Sequence, residues 1–351
     1  MTQDHHFIGW DIGGAHLKMA HVDDTGRIVR VCQLATPLWK GIDILSTALT
    51  QADKYLPDNN LVHAVTTTAE LVDIFRDRMT GIEAIKLLLT EQLTGNDILF
   101  YAGDAGLVPA METGKYTDMI ASANWHATAS FLSQQLEEGI LLDIGSTTTD
   151  IIPFKAGKLC HSGHSDFDRL RVAELVYTGV IRTPIMAIVD QVPYQGKWQP
   201  VAAELFATIA DVYRLTGEIS VDDDLQETAD GRGKTQLESA RRLARMLGAD
   251  IGDDNALEPW RQTAGFIADK QLQQIQDALS RVKLQVGISG KAIITGAGTG
   301  SFLAEKIATN LKMKYADFSD MLIMKENHPV TAGQCATAVS VAMILRSKIQ
   351  A

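Results

Sequence analysis

Cysteine is scarce in this chain. Its three thiols, Cys32, Cys160 and Cys335, stand far apart with no CxxC pair. That excludes a cysteine zinc site, argues against a disulfide framework and points to a reducing, cytoplasmic setting. Basic charge is also short. Thirty-two Lys and Arg face 43 Asp and Glu, a formal net charge of −11, whereas nucleic-acid-binding surfaces are usually basic, so no nucleic-acid partner is expected. No apolar run approaches the roughly 20 residues of a membrane span. Met1–His6 is polar and carries no signal-peptide core, so no membrane partner is expected either. The remaining composition, 46% hydrophobic and 21% charged over 351 residues, is that of a globular protein long enough for two domains.

What the chain does contain is one segment twice. Ile8-Gly9-Trp10-Asp11-Ile12-Gly13-Gly14-Ala15-His16-Leu17-Lys18 is matched by Leu141-Leu142-Asp143-Ile144-Gly145-Ser146-Thr147-Thr148-Thr149-Asp150. Each copy is an apolar strand running into Asp-Ile-Gly, a turn of small residues and a second extended stretch. Asp11 and Asp143 stand 132 positions apart (143 − 11), about one domain. Two related domains would set two equivalent loops across a cleft. Glycine lets the backbone approach an anion and aim N–H groups at it, and an aspartate at a strand end can hold Mg²⁺ directly or through water. Gly13, Gly14, Gly145, Ser146, Thr147 and Thr148 are therefore phosphate-binding candidates, with Asp11 and Asp143 as catalytic and metal-holding ones. His16 and Lys18 share one face of an alternating strand and could offer a titratable group and a cation to one phosphate chain. Both could equally be exposed hairpin residues. A third loop, Ile293-Ile294-Thr295-Gly296-Ala297-Gly298-Thr299-Gly300, joins a strand to a helix and adds Gly296 and Gly298. Its third glycine falls one residue early for a dinucleotide fingerprint.

Periodicity predicts strands at Phe7–Ile12, His16–Val22 and Arg27–Leu34, a helix at Ile42–Tyr55, a strand at Leu61–Thr66, helices at Ala69–Met79 and Ile82–Leu93, a strand at Asp97–Ala102 and a helix at Asp118–Leu136. The second half repeats the opening with Gly139–Ile144, Thr148–Phe154 and Lys158–His161. Helices are expected at Arg169–Val176, Val201–Tyr213, Gln236–Leu247, Pro259–Val286, Gly300–Asn310 and Gly333–Arg346, with a strand at Lys291–Thr295. Gly217–Lys234 lacks apolar periodicity and reads either as a lid or as a solvated loop. Asp230 and Arg232 within it are substrate-binding candidates under the lid reading. Glu70 and Asp104 follow strand ends, where doubly wound folds place functional side chains. Trp125 could stack on a ring or belong to the core. Arg169 and Arg182 could meet a carboxylate or diphosphate, or form structural ion pairs. His161, His164, Asp166 and Asp168 cluster in sequence without a defensible metal spacing.

The three loops, in this order, resemble the phosphate-1, phosphate-2 and adenosine motifs of the acetate and sugar kinase, heat-shock ATPase and actin superfamily. Asp143–Asp150 is most similar to its hydantoinase/oxoprolinase branch. Thr36-Pro37-Leu38-Trp39, Thr67-Thr68-Ala69-Glu70-Leu71, Ser122-Ala123-Asn124-Trp125, Tyr177–Pro184, Thr228–Arg232 and Ala240–Met246 resemble, with Asp11–Ala15, a narrower family over nearly the whole chain. That family is the tetrahydromethanopterin-linked C1-transfer pathway proteins of methylotrophs, whose archaeal relatives are methanofuran-biosynthesis synthases that form an aryl ether. The resemblance implies two related actin-like (ribonuclease H-like) α/β domains facing a central cleft. They would span 1–137 and 138–351, with a helical insertion at about 200–286 and a terminal helix packing back on the first. It implies a transferase joining an aminomethylfurfuryl diphosphate to the phenol of γ-glutamyltyramine, with release of pyrophosphate and Mg²⁺ as cofactor. ATP would serve only in the alternative, a small-molecule kinase or amide-activating enzyme. The first loop lacks the Thr or Ser that follows the glycines in many kinase-like relatives, which weakens that alternative. A nucleotide-sensing or scaffold protein is the alternative of another class. Homo-oligomerisation, the phenolic acceptor and the acid–base residue stay open.

Overall fold

The computed structural model describes residues 5–57, 60–93, 97–251, 256–325 and 330–351. Met1–Asp4, part of the polar start read above, lies outside them. The chain folds into elements β1 (His6–Ile12), β2 (His16–Val22), β3 (Ile28–Ala35), α1 (Asp43–Asp53), β4 (Leu61–Thr67), α2 (Arg78–Gln92), β5 (Asp97–Tyr101), β6 (Leu107–Pro109), α3 (Thr117–Ile120), α4 (Asn124–Gln135), β7 (Glu138–Ile144), β8 (Thr149–Lys155) and β9 (Lys158–Leu159). There follow α5 (Asp166–Arg171), β10 (Leu175–Val176), β11 (Gln191–Tyr194), β12 (Lys197–Pro200), α6 (Ile209–Thr216), α7 (Gln236–Met246), α8 (Glu258–Val286), β13 (Ile293–Ala297), α9 (Ser301–Asn310), β14 (Lys314–Asp317) and α10 (Ala336–Gln350).

The first sheet runs β3-β2-β1-β4-β5-β6. β1 pairs antiparallel with β2 and parallel with β4, and β4 pairs parallel with β5. The period of two along β1 sends Ile8, Trp10 and Ile12 into a core shared with Leu45, Leu49, Ile82, Ile85 and Leu89 of α1 and α2. The opposite face carries Phe7, Gly9 and Asp11 and receives α10. A Cβ on Gly9 would lie 1.9 Å from the Ala338 carbonyl oxygen, so this close helix–strand approach requires glycine. The second sheet runs β10-β8-β7-β13-β14 and repeats the order of β3-β2-β1-β4-β5. This recurrence is the ribonuclease H-like repeat of a two-domain actin-like α/β fold.

The chain divides into two compact units. One contains Met1–Leu141, Ile152–Cys160 and Ala316–Ala351; the other contains Leu142–Ile151 and His161–Tyr315. The α6–α8 helices, with the β11–β12 hairpin before them, belong to the second unit.

Several elements depart from the periodicity. No helix covers Ala69–Met79: one 3-10 turn spans Ala69–Leu71 and α2 starts later, capped by Asp77, which accepts from the Thr80 N–H at 2.8 Å. Thr67 caps the short turn, its hydroxyl accepting from Ala69 N–H at 3.0 Å. The expected helix Asp118–Leu136 is cut in two at Ser122, whose φ is +53°. The expected helix at Val201 begins only at Ile209, behind a capping box of Thr208 and Asp211. The expected strand Lys158–His161 shortens to β9, and both β9 and β10 pair with β8. Among the described residues no helix is long and apolar enough to cross a membrane.

Candidate functional site: phosphate-type loops at the strand ends

The two repeated segments close in the same way. Gly13 N–H donates to the His16 carbonyl at 2.9 Å, and Gly145 N–H donates to the Thr148 carbonyl at 2.9 Å. Sequence similarity and turn geometry agree residue for residue. In the first loop Asp11 lies opposite Lys18 in register, and the Lys18 ammonium is 3.9 Å from the Asp11 carboxylate. Asp11 also pairs in register with Thr66 of β4, whose hydroxyl is fully buried and has no hydrogen-bond partner. His16 and Lys18 are both half-buried, on the same face of β2. A Cβ on Gly14 would lie 2.8 Å from the Val72 side chain.

Because β1, β4 and β5 are parallel, their carboxyl ends share one edge of the sheet, where open α/β sheets bind ligands. Three acidic side chains stand toward that edge: Asp11 next to the last residue of β1, Glu70 after β4 and Asp104 after β5. Glu70 is almost fully buried. Its Oε1 accepts from the Ser122 N–H at 2.9 Å and from the Ser122 hydroxyl at 3.3 Å, while its Oε2 finds no partner. Burial pushes this carboxyl up to about 7, against the bonds that favour its ionised form. Asp104 is the most open of the three, its side chain 69% exposed. It sits in a tight turn closed by Ala102 N–H on the Gly106 carbonyl at 2.8 Å, with Gly103 at φ +51° and Gly106 at φ +70°. Trp125 is buried and lies edge-on to His126, with ring centroids 5.3 Å apart. It belongs to the packing of α4 rather than to an exposed stacking surface.

In the second unit the third loop lies against the second. Gly300 N–H donates to the Ile144 carbonyl at 2.8 Å. Gly298, at φ +78°, comes so close that a Cβ would lie 2.3 Å from the Ile144 oxygen and 2.6 Å from Asp143 Oδ1. Gly296 packs under the Tyr315 ring, 2.7 Å from Cβ position to hydroxyl. The segment 178–183 supports the second loop from another side. Val180 N–H donates to the Gly145 carbonyl, and Arg182 N–H to that of Ser146, at 3.0 and 2.9 Å. Gln271 of α8 anchors this segment, donating to Thr178 Oγ1 at 2.7 Å and to the Gly179 carbonyl at 2.9 Å, and it accepts from the Tyr213 hydroxyl at 2.5 Å. The Ser146 hydroxyl is buried without a partner. This orphaned donor and the Gly298 approach, which any side chain would block, suit an oxyanion and its metal beside Asp143. Thr147 and Thr148 complete the loop.

Other candidates are engaged elsewhere. By the correspondence of the loops, Asp150 takes the place of Lys18. Burial raises its carboxyl, and the buried Arg169 guanidinium offsets this at 2.6 Å. Arg169 also donates to the Glu174 carbonyl, so it is a structural partner rather than an exposed anion receptor. The Arg182 side chain is exposed. Asp230 faces α7, with Arg242 at 3.0 Å and Arg245 at 2.8 Å. Despite partial burial, hydrogen bonds from Arg245, from the Arg232 backbone and from Arg242 hold it down at about 2. Buried Asp224 pairs with Arg214 and Lys234. Gly217–Lys234 is therefore tied to α6 and α7 by ion pairs of Asp224 and Asp230, while Arg232 is among its exposed residues. The periodicity gave no signal for Ser122, His126, Tyr101 or Gln271, which sit in apolar or helical contexts.

The hydantoinase/oxoprolinase family model matches residues 62–341. The chain is 29% identical over 347 residues, covering 97% of its own length and 98% of the relative's, to the (4-{4-[2-(gamma-L-glutamylamino)ethyl]phenoxymethyl}furan-2-yl)methanamine synthase of Methanocaldococcus jannaschii. It is 28% identical over 224 residues to the synthase of the same name in Methanococcus vannielii, covering 64% of this chain and 98% of that one. Among solved structures, nucleotide-free acetone carboxylase, described with the mechanism of ATP-dependent acetone carboxylation, matches with a TM-score of 0.60 at 10% identity, over 97% of this chain and 70% of the other. At that identity the likeness is one of fold alone.

Proposed function

The chain belongs to the hydantoinase/oxoprolinase family, and from that premise we propose that it is an aryl-ether-forming transferase of methanofuran-type cofactor biosynthesis. The observation that carries this reading is the match to a named synthase along 97% of the chain and 98% of the relative. The product in that name is an ether between a phenol and the methylene of an aminomethylfuran. Making such a bond requires a leaving group on the methylene, and a diphosphate suits loops built to receive phosphate. The substrates proposed are therefore an aminomethylfurfuryl diphosphate and γ-glutamyltyramine or a tyramine-like phenol.

In this reading Lys18 and the N–H groups of the Gly13–Gly14 turn receive phosphate oxygens in the first unit. Ser146, Thr147, Thr148 and the glycines of the third loop do so in the second. Asp11 in the first unit and Asp143 in the second are each a carboxylate that could be offered to Mg²⁺. The metal, when bound, neutralises charge on the departing diphosphate oxygens. The furan stabilises positive charge on the methylene as the bond to oxygen breaks, so the chain's main tasks are to hold the leaving group and to align the phenol. His16, beside Lys18 on β2, is a polar neighbour of the same phosphate chain.

The test is pyrophosphate release from aminomethylfurfuryl diphosphate with Mg²⁺ and no ATP, with and without γ-glutamyltyramine. Release that depends on the phenol, with an ether product by mass spectrometry, is the expected result. No release, together with ADP formation when ATP is supplied, would replace this reading with an ATP-dependent one.

A further inference from the structure

Behind Asp104 stands a chain of groups that the phosphate-binding chemistry does not use. His126 Nε2 lies 3.1 Å from Asp104 Oδ1, and His126 Nδ1 lies 2.8 Å from the Tyr101 hydroxyl. Ser130 Oγ sits 3.1 Å from Nδ1 and 3.2 Å from the Tyr101 oxygen. Tyr101 is the last residue of β5, Asp104 lies in the turn that follows it, and His126 is on the first turn of α4. Burial pushes the Tyr101 phenol up to about 12, so it stays a neutral hydroxyl, within hydrogen-bond reach of both Ser130 Oγ and His126 Nδ1. A carboxylate only accepts, so the Asp104 contact puts a ring proton on His126 Nε2, and Nδ1 of the neutral ring accepts from the Tyr101 or Ser130 hydroxyl. The imidazole is buried and the carboxylate is open, with side-chain exposures of 9% and 69%. The hydroxyls of Tyr101 and Ser130 thus hold a buried histidine whose Nε2–H is aimed at one oxygen of an exposed carboxylate.

The position of this carboxylate gives it a task. Asp104 follows β5 and Asp11 is the last residue but one of β1, with β4 between them, all three strands parallel. Two strand spacings separate them along the sheet edge, about 10 Å. That span accommodates a phenol oxygen and a methylene carbon between a proton acceptor and the diphosphate subsite.

Resting on the synthase reading above, we infer that Asp104 is the catalytic residue that takes the acceptor's phenolic proton, with His126 and Tyr101 as its positioning residues. The phenol oxygen forms a bond to the furfuryl methylene. The carbon–oxygen bond to diphosphate breaks, the bonding pair leaves with the pyrophosphate, and the phenol proton passes to the Asp104 carboxylate. No oxidant or reductant enters.

The experiment measures ether formation by wild type, Asp104→Asn, His126→Gln and Tyr101→Phe with γ-glutamyltyramine and with a ring-fluorinated analogue whose phenol is ionised at assay pH. With the ordinary phenol, Asp104→Asn should lower kcat by about 100-fold or more while the KM for the diphosphate stays within a few-fold. With the fluorinated acceptor, which brings no proton, the deficit should shrink to about tenfold or less. His126→Gln and Tyr101→Phe should show smaller losses, of about tenfold, with the same recovery; Tyr101→Phe removes only one hydroxyl and keeps the test valid if the histidine variant is unstable. An Asp104→Asn deficit equal with both phenols, or absent with both, would overturn the assignment of Asp104. Loss without recovery in both positioning variants would overturn the relay. If wild type forms no ether from either acceptor, the synthase reading itself fails, which is a separate outcome.

Discussion

Glu70 carries a neutral-acid preference into the site, and its sign can be worked out. Burial raises its folded value from the ordinary 4.5 to about 7. Folding therefore favours the protonated form. The stability this group contributes is full below about 4.5 and is lost as pH rises through about 7, a swing of about 3 kcal/mol. Glu70→Gln should gain stability relative to wild type between pH 5 and pH 8, read from chemical denaturation at each pH. Parallel curves for the two proteins would show that Glu70 does not titrate in this window. Lys18 and Asp143 act at the same scale. Lys18→Ala and Asp143→Ala should each abolish turnover, about 1,000-fold or more, with unchanged circular dichroism. Full activity in either, with unchanged Mg²⁺ dependence, would refute the roles proposed for these loops.

Turns decide what the elements present. Gly298 holds φ +78° with no room for a side chain beside Asp143 and Ile144. Gly298→Ala should lose activity as severely as Asp143→Ala and also lower the melting temperature, because both the backbone conformation and the loop contact fail. A variant with wild-type kcat would show that the third loop is not part of the site. The loop pattern was legible in the chain because the Asp-Ile-Gly string after an apolar strand occurs twice, at Asp11 and at Asp143. The break at Ser122 was not. No glycine or proline marks it, and the left-handed serine is held by Glu70, 52 positions away. The expected helix over Ala69–Met79 failed for a related reason: Asp77 caps α2, and Gly81 of that helix packs so tightly on Glu70 that a Cβ would lie 2.7 Å from its Cα.

At the scale of the whole molecule, the terminal helix completes the first unit. α10 buries Ala336, Ala338, Val339, Val341, Ala342 and Leu345, and the Gly9 contact sets how closely it lies on β1. A chain ending at Gln334 should be insoluble or lack a cooperative melt, because the face of the first sheet that bears Phe7 and Asp11 loses its cover. Soluble, cooperatively folding protein from that truncation would contradict this account. The amino-acid order alone determined the repeated Asp-Ile-Gly loops, the two-domain actin-like class, the acidic surface and the family resemblance, because these depend on local turn chemistry and strand alternation. Only the tertiary structure decided that Arg169 and Asp230 serve ion pairs, that Trp125 is core, and that Tyr101, His126 and Asp104 form one chain. These groups stand up to 25 positions apart, and they meet because the first turn of α4 packs against the end of β5 and the turn that follows it. Such a meeting leaves no local pattern in the sequence.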